Sequence, residues 1–129
     1  MRNWAGRTIL IAEDDLNNYI LMQFIIKRTG AKILRANNGK EALDIVNKLK
    51  NVDAILMDYQ MPVMSGAEAI IKIRRVNKNV PIIVISGYSP RDLKSMSASN
   101  GYNETLTKPI QVDKLLGTIE RHFQPRGMA

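Results

Sequence analysis

The sequence has no cysteine and no long apolar run in its 129 residues. Without cysteine there are no disulfide bonds and no thiolate chemistry, which agrees with a reducing compartment. No stretch approaches the roughly 20 apolar residues that a membrane span requires, and the first residues lack the apolar core of a signal peptide. We therefore expect a soluble, cytoplasmic protein that does not insert into a membrane.

Aromatic residues are also scarce, at 5%, although the net charge is +7. Such a charge invites a nucleic-acid hypothesis. The basic residues are spread along the chain, with the closest groupings at Lys27-Arg28 and Arg74-Arg75, and none is interleaved with aromatic residues as on a base-stacking surface. We therefore predict no direct binding to nucleic acid.

Short apolar runs alternate with longer segments of helical spacing. The runs predict five strands, at 8–12, 31–36, 53–57, 81–86 and 104–107. The longer segments predict five helices, at 15–29, 39–50, 65–77, 90–98 and 111–123. Strict alternation, with central strands apolar on both faces, predicts an α/β fold with a doubly wound parallel sheet covered by helices on both sides.

The candidate site residues follow the predicted strands, where ligands bind in sheets of this kind. In chain order they are Glu13, Asp14, Asp58, Ser86, Gly87, Lys108 and Pro109. Asp58 ends an apolar strand, and burying an unpaired carboxylate is costly, so Asp58 either caps a turn or meets a cation. Gly87 would let another group approach the backbone closely.

Three carboxylates, those of Glu13, Asp14 and Asp58, converge if the first and third strands are neighbours. Their mutual repulsion requires a cation, and an all-oxygen ligand set without Cys or a nearby His favours Mg²⁺ over zinc. Lys108 supplies a second positive charge, and Ser86 supplies a hydroxyl. This combination is suited to phosphoryl transfer onto Asp58 as the nucleophile.

Four motifs in register give the chain a clear resemblance. It resembles a response-regulator receiver domain of two-component signalling, the family of the bacterial chemotaxis regulator, through "ILIAEDD", "ILMDYQMPVMSG", "PIIVISG" and "TLTKPI". The similarity spans residues 7–123 and predicts a single receiver domain over 1–129 with short flexible ends. The resemblance implies a flavodoxin-like three-layer α/β/α fold, with strand order 2-1-3-4-5 and five helices, that takes a phosphoryl group from a phosphohistidine.

The resemblance also implies roles for the acidic residues. Asp58 matches the phosphoacceptor, and Glu13 and Asp14 match the acidic pair that holds Mg²⁺. The backbone carbonyl of Gln60 would be a further metal ligand. Such a domain catalyses only its own phosphorylation and slow dephosphorylation, and it has no separate substrate.

Three further matches and two departures concern the remaining residues. Ser86 and Lys108 match the hydroxyl and the lysine that contact phosphoryl oxygens, and Pro109 matches the proline after a cis peptide bond. Thr105 stands where many members have an aromatic residue that changes rotamer on activation. Asp15 replaces what is often Asn or an apolar residue, and we assign it no metal role.

The first predicted helix, "LNNYILMQFII", is apolar on more than one face. It is either a well-buried helix beside the centre of the sheet or a docking surface. The resemblance implies docking of a histidine kinase or a histidine phosphotransfer domain, and Asn17, Asn18 and Met22 are the candidate contacts.

Several of these residues also have purely structural interpretations. Asp15 is more simply an N-cap of the first helix. Ser86 suits a Ser-Gly turn, Lys108 in isolation would be a solvated lysine, and His122 suits a helix C-terminus. The segment 90–98 predicts a short polar helix that is weakly anchored.

Other function classes fit less well. Phosphatases and dehalogenases with an Asp nucleophile need a second Asp two residues later, where this chain has Gln60. A nucleotide-binding module would be hindered by three acids where a phosphate must bind. The remaining alternative is a degenerate receiver that binds partners without phosphorylation. We expect no output domain. The chain is expected to be either a stand-alone regulator or the receiver of a hybrid histidine kinase, and the sequences of its motifs favour the latter.

Overall fold

The computed structural model describes residues 2–87 and 101–125. The strands are β1 (Thr8–Ala12), β2 (Lys32–Ala36), β3 (Ala54–Asp58), β4 (Ile82–Ser86) and β5 (Glu104–Thr107). The helices are α1 (Leu16–Lys27), α2 (Gly39–Lys48), α3 (Gly66–Val76) and α4 (Val112–His122). The helix predicted at 90–98 lies outside the described residues, so α4 is the helix that follows β5.

The five strands form one parallel sheet of order β2-β1-β3-β4-β5, as predicted. Every residue of β1, β3 and β4 is buried, whereas the edge strands β2 and β5 are partly exposed. This difference follows from the sequence, because only the central strands are apolar on both faces.

Two apolar cores lie on opposite faces of the sheet. One contains buried residues of α2 and α3, among them Val46 and Ile70. The other contains buried residues of α1 and α4, among them Ile26 and Leu115. The fold is therefore the predicted three-layer α/β/α arrangement.

Three helices begin after an N-cap residue with a polar side chain. Each of these caps lies in the loop that follows a strand. Asp15 caps α1, since its Oδ1 accepts a hydrogen bond of 3.1 Å from the backbone N–H of Asn18. Asn38 caps α2 and Ser65 caps α3 in the same way. The structural interpretation of Asp15 is thus confirmed.

Helix α1 buries one side and exposes the other. Met22 is only 2% exposed and packs in the core with Ile25 and Ile26. The prediction that Met22 contacts a docking partner is therefore wrong, because the helical period turns this residue toward the sheet. The apolar residues exposed on α1, which we call the α1 surface, are Leu16, Ile20, Leu21 and Phe24.

Within residues 2–87 and 101–125, no helix has both the length and the apolar character needed to cross a membrane.

Candidate functional site

Three carboxylates meet at the carboxyl ends of β1 and β3. Glu13, Asp14 and Asp58 each offer an oxygen, and these oxygens all lie within 4.8 Å of one another. The cause is the sheet topology, since β1 pairs directly with β3 and both strands end at this edge. Glu13 and Asp58 are buried, whereas Asp14 is exposed to solvent. The predicted convergence of these residues is confirmed.

Glu13 is held from both its backbone and its side chain. Its N–H donates to the carbonyl of Ala36 at 3.1 Å, and its Oε2 accepts from the N–H of Asp15 at 3.2 Å. Its other oxygen, Oε1, is buried and accepts no hydrogen bond from the described residues. Lys108 Nζ lies 3.5 Å from this oxygen as an ion pair.

The pKa of Glu13 is raised from 4.5 to about 7. Burial is the largest cause, followed by the neighbouring Asp58 carboxyl, and these outweigh the opposite effects of the Asp15 N–H and Lys108. Two buried carboxylates beside one ammonium leave the site short of positive charge. The site also offers carboxylate oxygens as ligands, and Oε1 of Glu13 accepts no hydrogen bond from the described residues. The residues present therefore fit a hard divalent cation.

Lys108 lies between two of the carboxylates. Its Nζ is 3.8 Å from Asp58 Oδ2, close to its distance from Glu13. The backbone N–H of Lys108 donates to the carbonyl of Ser86 at 2.8 Å, which anchors the lysine beside β4. The peptide bond between Lys108 and Pro109 is cis, as the resemblance implied.

A cleft of about 360 Å³ opens over Asp58 and is lined by Asp58, Gln60, Ser86, Gly87 and Lys108. Asp58 Oδ1 accepts a long hydrogen bond of 3.4 Å from the N–H of Gln60. A Cβ added at Gly87 would meet no atom within 4 Å in the described part of the chain. Packing among the described residues therefore does not require glycine at position 87.

Two supporting features were missed from the sequence. A Cβ at Gly66 would clash with the carbonyl of Asp58 and come within 2.9 Å of Tyr59 Cα, so glycine lets α3 start directly against the end of β3. Arg35, on β2, donates to backbone carbonyls of the acidic residues after β1. The Ser65-Gly66 pair was a signal for the first feature, but a basic residue on an edge strand gave none for the second.

Comparison with known proteins identifies the family. The model of the response regulator receiver domain family matches residues 9–120. The chain belongs to this family. Its predicted resemblance and fold are thereby confirmed, and it is a receiver domain of two-component signalling. Receiver domains are regulatory phosphoacceptor modules and not enzymes with a separate substrate.

Among similar proteins, the receiver domain is 36% identical over 119 residues to hybrid signal transduction histidine kinase I of Dictyostelium discoideum. The match covers 86% of this chain but 7% of that kinase.

Two solved structures are also similar. The receiver domain of the sensor histidine kinase PA1611 from Pseudomonas aeruginosa has a TM-score of 0.85 and 28% identity, covering 92% of this chain and 98% of that chain. That structure has a magnesium ion coordinated in its active-site cleft. A chain of the Saccharomyces cerevisiae co-crystal of the phosphotransfer protein Ypd1 with the Ssk1 receiver domain has a TM-score of 0.82 and 27% identity, covering 91% of this chain and 88% of that chain.

Proposed function

We propose that Asp58 accepts a phosphoryl group from a phosphohistidine, with Mg²⁺ as the cofactor, and that this modification changes partner binding. The observation that carries the proposal is the cluster of Glu13, Asp14 and Asp58 oxygens within 4.8 Å, with Lys108 beside two of them. This cluster lies next to the cleft that leads to Asp58.

Asp58 is the nucleophile. One carboxylate oxygen forms a P–O bond while the P–N bond of the protonated donor ring breaks and leaves its electron pair on nitrogen, which gives an acyl phosphate and a neutral imidazole. Asp58 is 9% exposed, so the described residues restrict it to approach through the cleft. The donor must therefore present its phosphoryl group from solvent, at the end of the sheet where the strands have their carboxyl ends.

Glu13, Asp14, Asp58 and the backbone carbonyl of Gln60 would hold the metal. When bound, Mg²⁺ supplies charge neutralisation for the phosphoryl oxygens and for the carboxylates. Asp14 is the exposed member of the cluster, and it leaves one side of the site open to water. Such a partly hydrated site suits Mg²⁺, which usually retains several water ligands.

Lys108 and Ser86 would bind the transferred group. Lys108 already lies within ion-pair distance of Asp58, so a small movement of its flexible side chain reaches an oxygen of the phosphorylated Asp58. Ser86 lines the same cleft and has a hydroxyl that can donate. Gly87 also lines this cleft, and its lack of a side chain would leave room for the phosphoryl group.

The modified state would end by hydrolysis. Water attacks phosphorus, the P–O bond to Asp58 breaks, and inorganic phosphate leaves. Among the described residues that line the cleft there is no histidine and no acid besides Asp58, and the nearby Glu13 and Asp14 are assigned to the metal. We therefore expect the self-dephosphorylation to be slow.

The donor would be a histidine kinase or a histidine phosphotransfer domain that docks near the start of α1. Asn17 and Asn18 lie in the first turn of this helix, beside the acidic residues, and the α1 surface presents exposed apolar residues next to them. The similarity to the co-crystal of Ypd1 with Ssk1 supports a partner of this kind. A cytoplasmic location, the domain limits 1–129 and a place in a hybrid histidine kinase remain predictions.

The test uses phosphoramidate, whose P–N bond matches the bond in phosphohistidine, as the phosphoryl donor. The wild-type protein, Asp58→Asn and the matched control Asp44→Asn, which changes an exposed acid on α2, are incubated with donor and Mg²⁺. We expect the intact mass to rise by one phosphoryl group in the wild type and the control only. A rise in Asp58→Asn would assign the phosphoryl group to another residue. No rise in any protein would favour the degenerate receiver.

A further inference from the structure

Arg35 connects the edge strand β2 to the acidic loop, which we define as residues 13–15. Its Nη2 donates to the carbonyl of Glu13 at 3.3 Å and lies 3.5 Å from the carbonyl of Asp14. These two residues carry two of the three clustered carboxylates. One guanidinium group therefore contacts the backbone of both.

Tyr19 holds that guanidinium group in place. The Arg35 Cζ atom lies 4.5 Å from the centroid of the Tyr19 ring, which is cation–π distance. Tyr19 belongs to the first turn of α1, and its N–H donates to the carbonyl of Asp15 at 2.9 Å. Arg35 thus binds the first two residues of the acidic loop by hydrogen bonds. Its link to Asp15, the last residue, runs through Tyr19, whose ring contacts the guanidinium group.

The partly buried position of the Arg35 guanidinium group would by itself be unfavourable in free energy. Arg35 Nε is buried and has no hydrogen-bond partner among the described residues, although a guanidinium nitrogen in water would be fully hydrated. On an edge strand, an arginine side chain is long enough to extend into solvent and avoid this cost. Its inward position is explained by the two carbonyls and the ring, all of which belong to the acidic loop or to the helix turn that follows it.

We propose that Arg35 is a positioning residue that orients the acidic loop so that Glu13 and Asp14 can bind Mg²⁺. This inference rests on the proposed function, because it assumes the metal site formed by these carboxylates. Arg35 does not touch the metal. It fixes the backbone from which the ligands project, as groups outside the ligand set do in other metal sites.

The sign of the effect separates positioning from simple electrostatics. Removing a positive charge near an acidic site reduces repulsion of the metal, so electrostatics alone predicts that loss of Arg35 strengthens Mg²⁺ binding. Loss of positioning predicts the opposite. Arg35→Met keeps much of the apolar stem but cannot donate to either carbonyl, and it therefore distinguishes the two effects.

The experiment measures Mg²⁺ affinity by isothermal titration calorimetry. Arg35→Met is compared with Arg35→Lys, which keeps the charge but loses the planar fork, and with Lys32→Met as a matched control. Lys32 is an exposed residue at the other end of β2, so this control also removes one positive charge. We expect Arg35→Met to raise the Kd for Mg²⁺ about tenfold, Arg35→Lys to raise it less, and Lys32→Met to leave it nearly unchanged.

Tyr19 supplies a second set of variants. Tyr19→Phe keeps the ring and should bind Mg²⁺ like the wild type, whereas Tyr19→Leu should weaken binding. Because the ring acts through Arg35, combining Tyr19→Leu with Arg35→Met should weaken binding little beyond Arg35→Met alone. Amide NMR signals of residues 13–15 in the metal-free protein provide a readout besides affinity, and we expect them to shift or broaden in Arg35→Met.

Three outcomes would overturn the inference. A Kd for Arg35→Met equal to or lower than that of the wild type excludes positioning, as does additivity of the Tyr19→Leu and Arg35→Met effects. Absence of Mg²⁺ binding by the wild-type protein would instead refute the proposed metal site, and the positioning role with it. Wild-type affinity therefore distinguishes failure of the inference alone from failure of the proposed function.

Discussion

Glu13 lies 3.5 Å from Lys108 Nζ, yet its pKa is raised to about 7. The ion pair would by itself lower the pKa of a carboxyl group. Burial and the adjacent Asp58 carboxyl outweigh it, so the ammonium does not balance the buried negative charge. This imbalance gives the metal-free protein a pH dependence that can be measured.

The metal-free protein should lose stability between pH 4.5 and about 7 because of Glu13. In this range the folded state retains a proton on Glu13 that the unfolded state has released, so the free energy of unfolding falls as pH rises. The contribution is at most about 3 kcal/mol. Urea unfolding in EDTA at several pH values measures this slope.

Glu13→Gln provides the control for this pH dependence. The amide does not titrate, so the variant should lose less stability over the same pH range than the wild type. Added Mg²⁺ at pH 8 should stabilise the wild type more than the variant, because the variant lacks one candidate ligand. Parallel pH profiles for the two proteins would show that the buried Glu13 carboxyl does not titrate as described.

Gly66→Ala should destabilise the protein by about 2–4 kcal/mol. The added Cβ would overlap with the backbone of Asp58 and Tyr59, and backbone atoms cannot move aside cheaply. Gly117→Ala in α4 is the matched control, since among the described residues its Cβ would meet only Arg2 Nη2, at 3.8 Å. There, alanine should stabilise the helix by about 0.5–1 kcal/mol. Chemical denaturation measures both values, and equal effects would contradict the steric explanation.

Met22→Ala and Phe24→Ala should separate the core of α1 from its surface. Met22 is 2% exposed and Phe24 is 61% exposed. We expect Met22→Ala to cost about 2–4 kcal/mol of unfolding free energy and Phe24→Ala to cost under about 1 kcal/mol. If Phe24→Ala were the more damaging variant, the assignment of the two faces of α1 would be reversed.

The strands could be predicted from the sequence because each short apolar run lies between longer segments of helical spacing, and this pattern indicates a strand. β1 and β5 have the predicted bounds, each of the other three strands begins one residue later than predicted, and β3 also ends one residue later. Placing the strands also placed the site, since Asp58 ends β3, and Glu13 and Lys108 directly follow the ends of β1 and β5 at the same edge of the sheet. Their convergence needed only the topology of a parallel sheet.

The faces of α1 and the role of Arg35 were less predictable. Helix α1 carries apolar residues on more than one face, so their spacing did not identify the buried face. Met22 was therefore assigned to the exposed face, although it is buried. Arg35 contacts the acidic loop because of its side-chain direction on an edge strand, which the order of residues does not specify. Both depend on packing and not on local pattern.

Lys108→Met should separate metal binding from phosphoryl transfer. The substitution removes the ammonium that lies within 4 Å of both Glu13 and Asp58. Less repulsion of the metal should lower the Kd for Mg²⁺ by about threefold to tenfold.

Phosphorylation by phosphoramidate should nevertheless become slower in Lys108→Met, because Asp58 loses the cation proposed to bind the transferred group. Titration calorimetry measures the affinity, and intact mass at successive times measures the rate. Lys114→Met, which changes an exposed lysine on α4, should leave both unchanged. Slower phosphorylation together with weaker Mg²⁺ binding would instead mean that Lys108 chiefly maintains the geometry of the carboxylates, since loss of its charge alone strengthens metal binding.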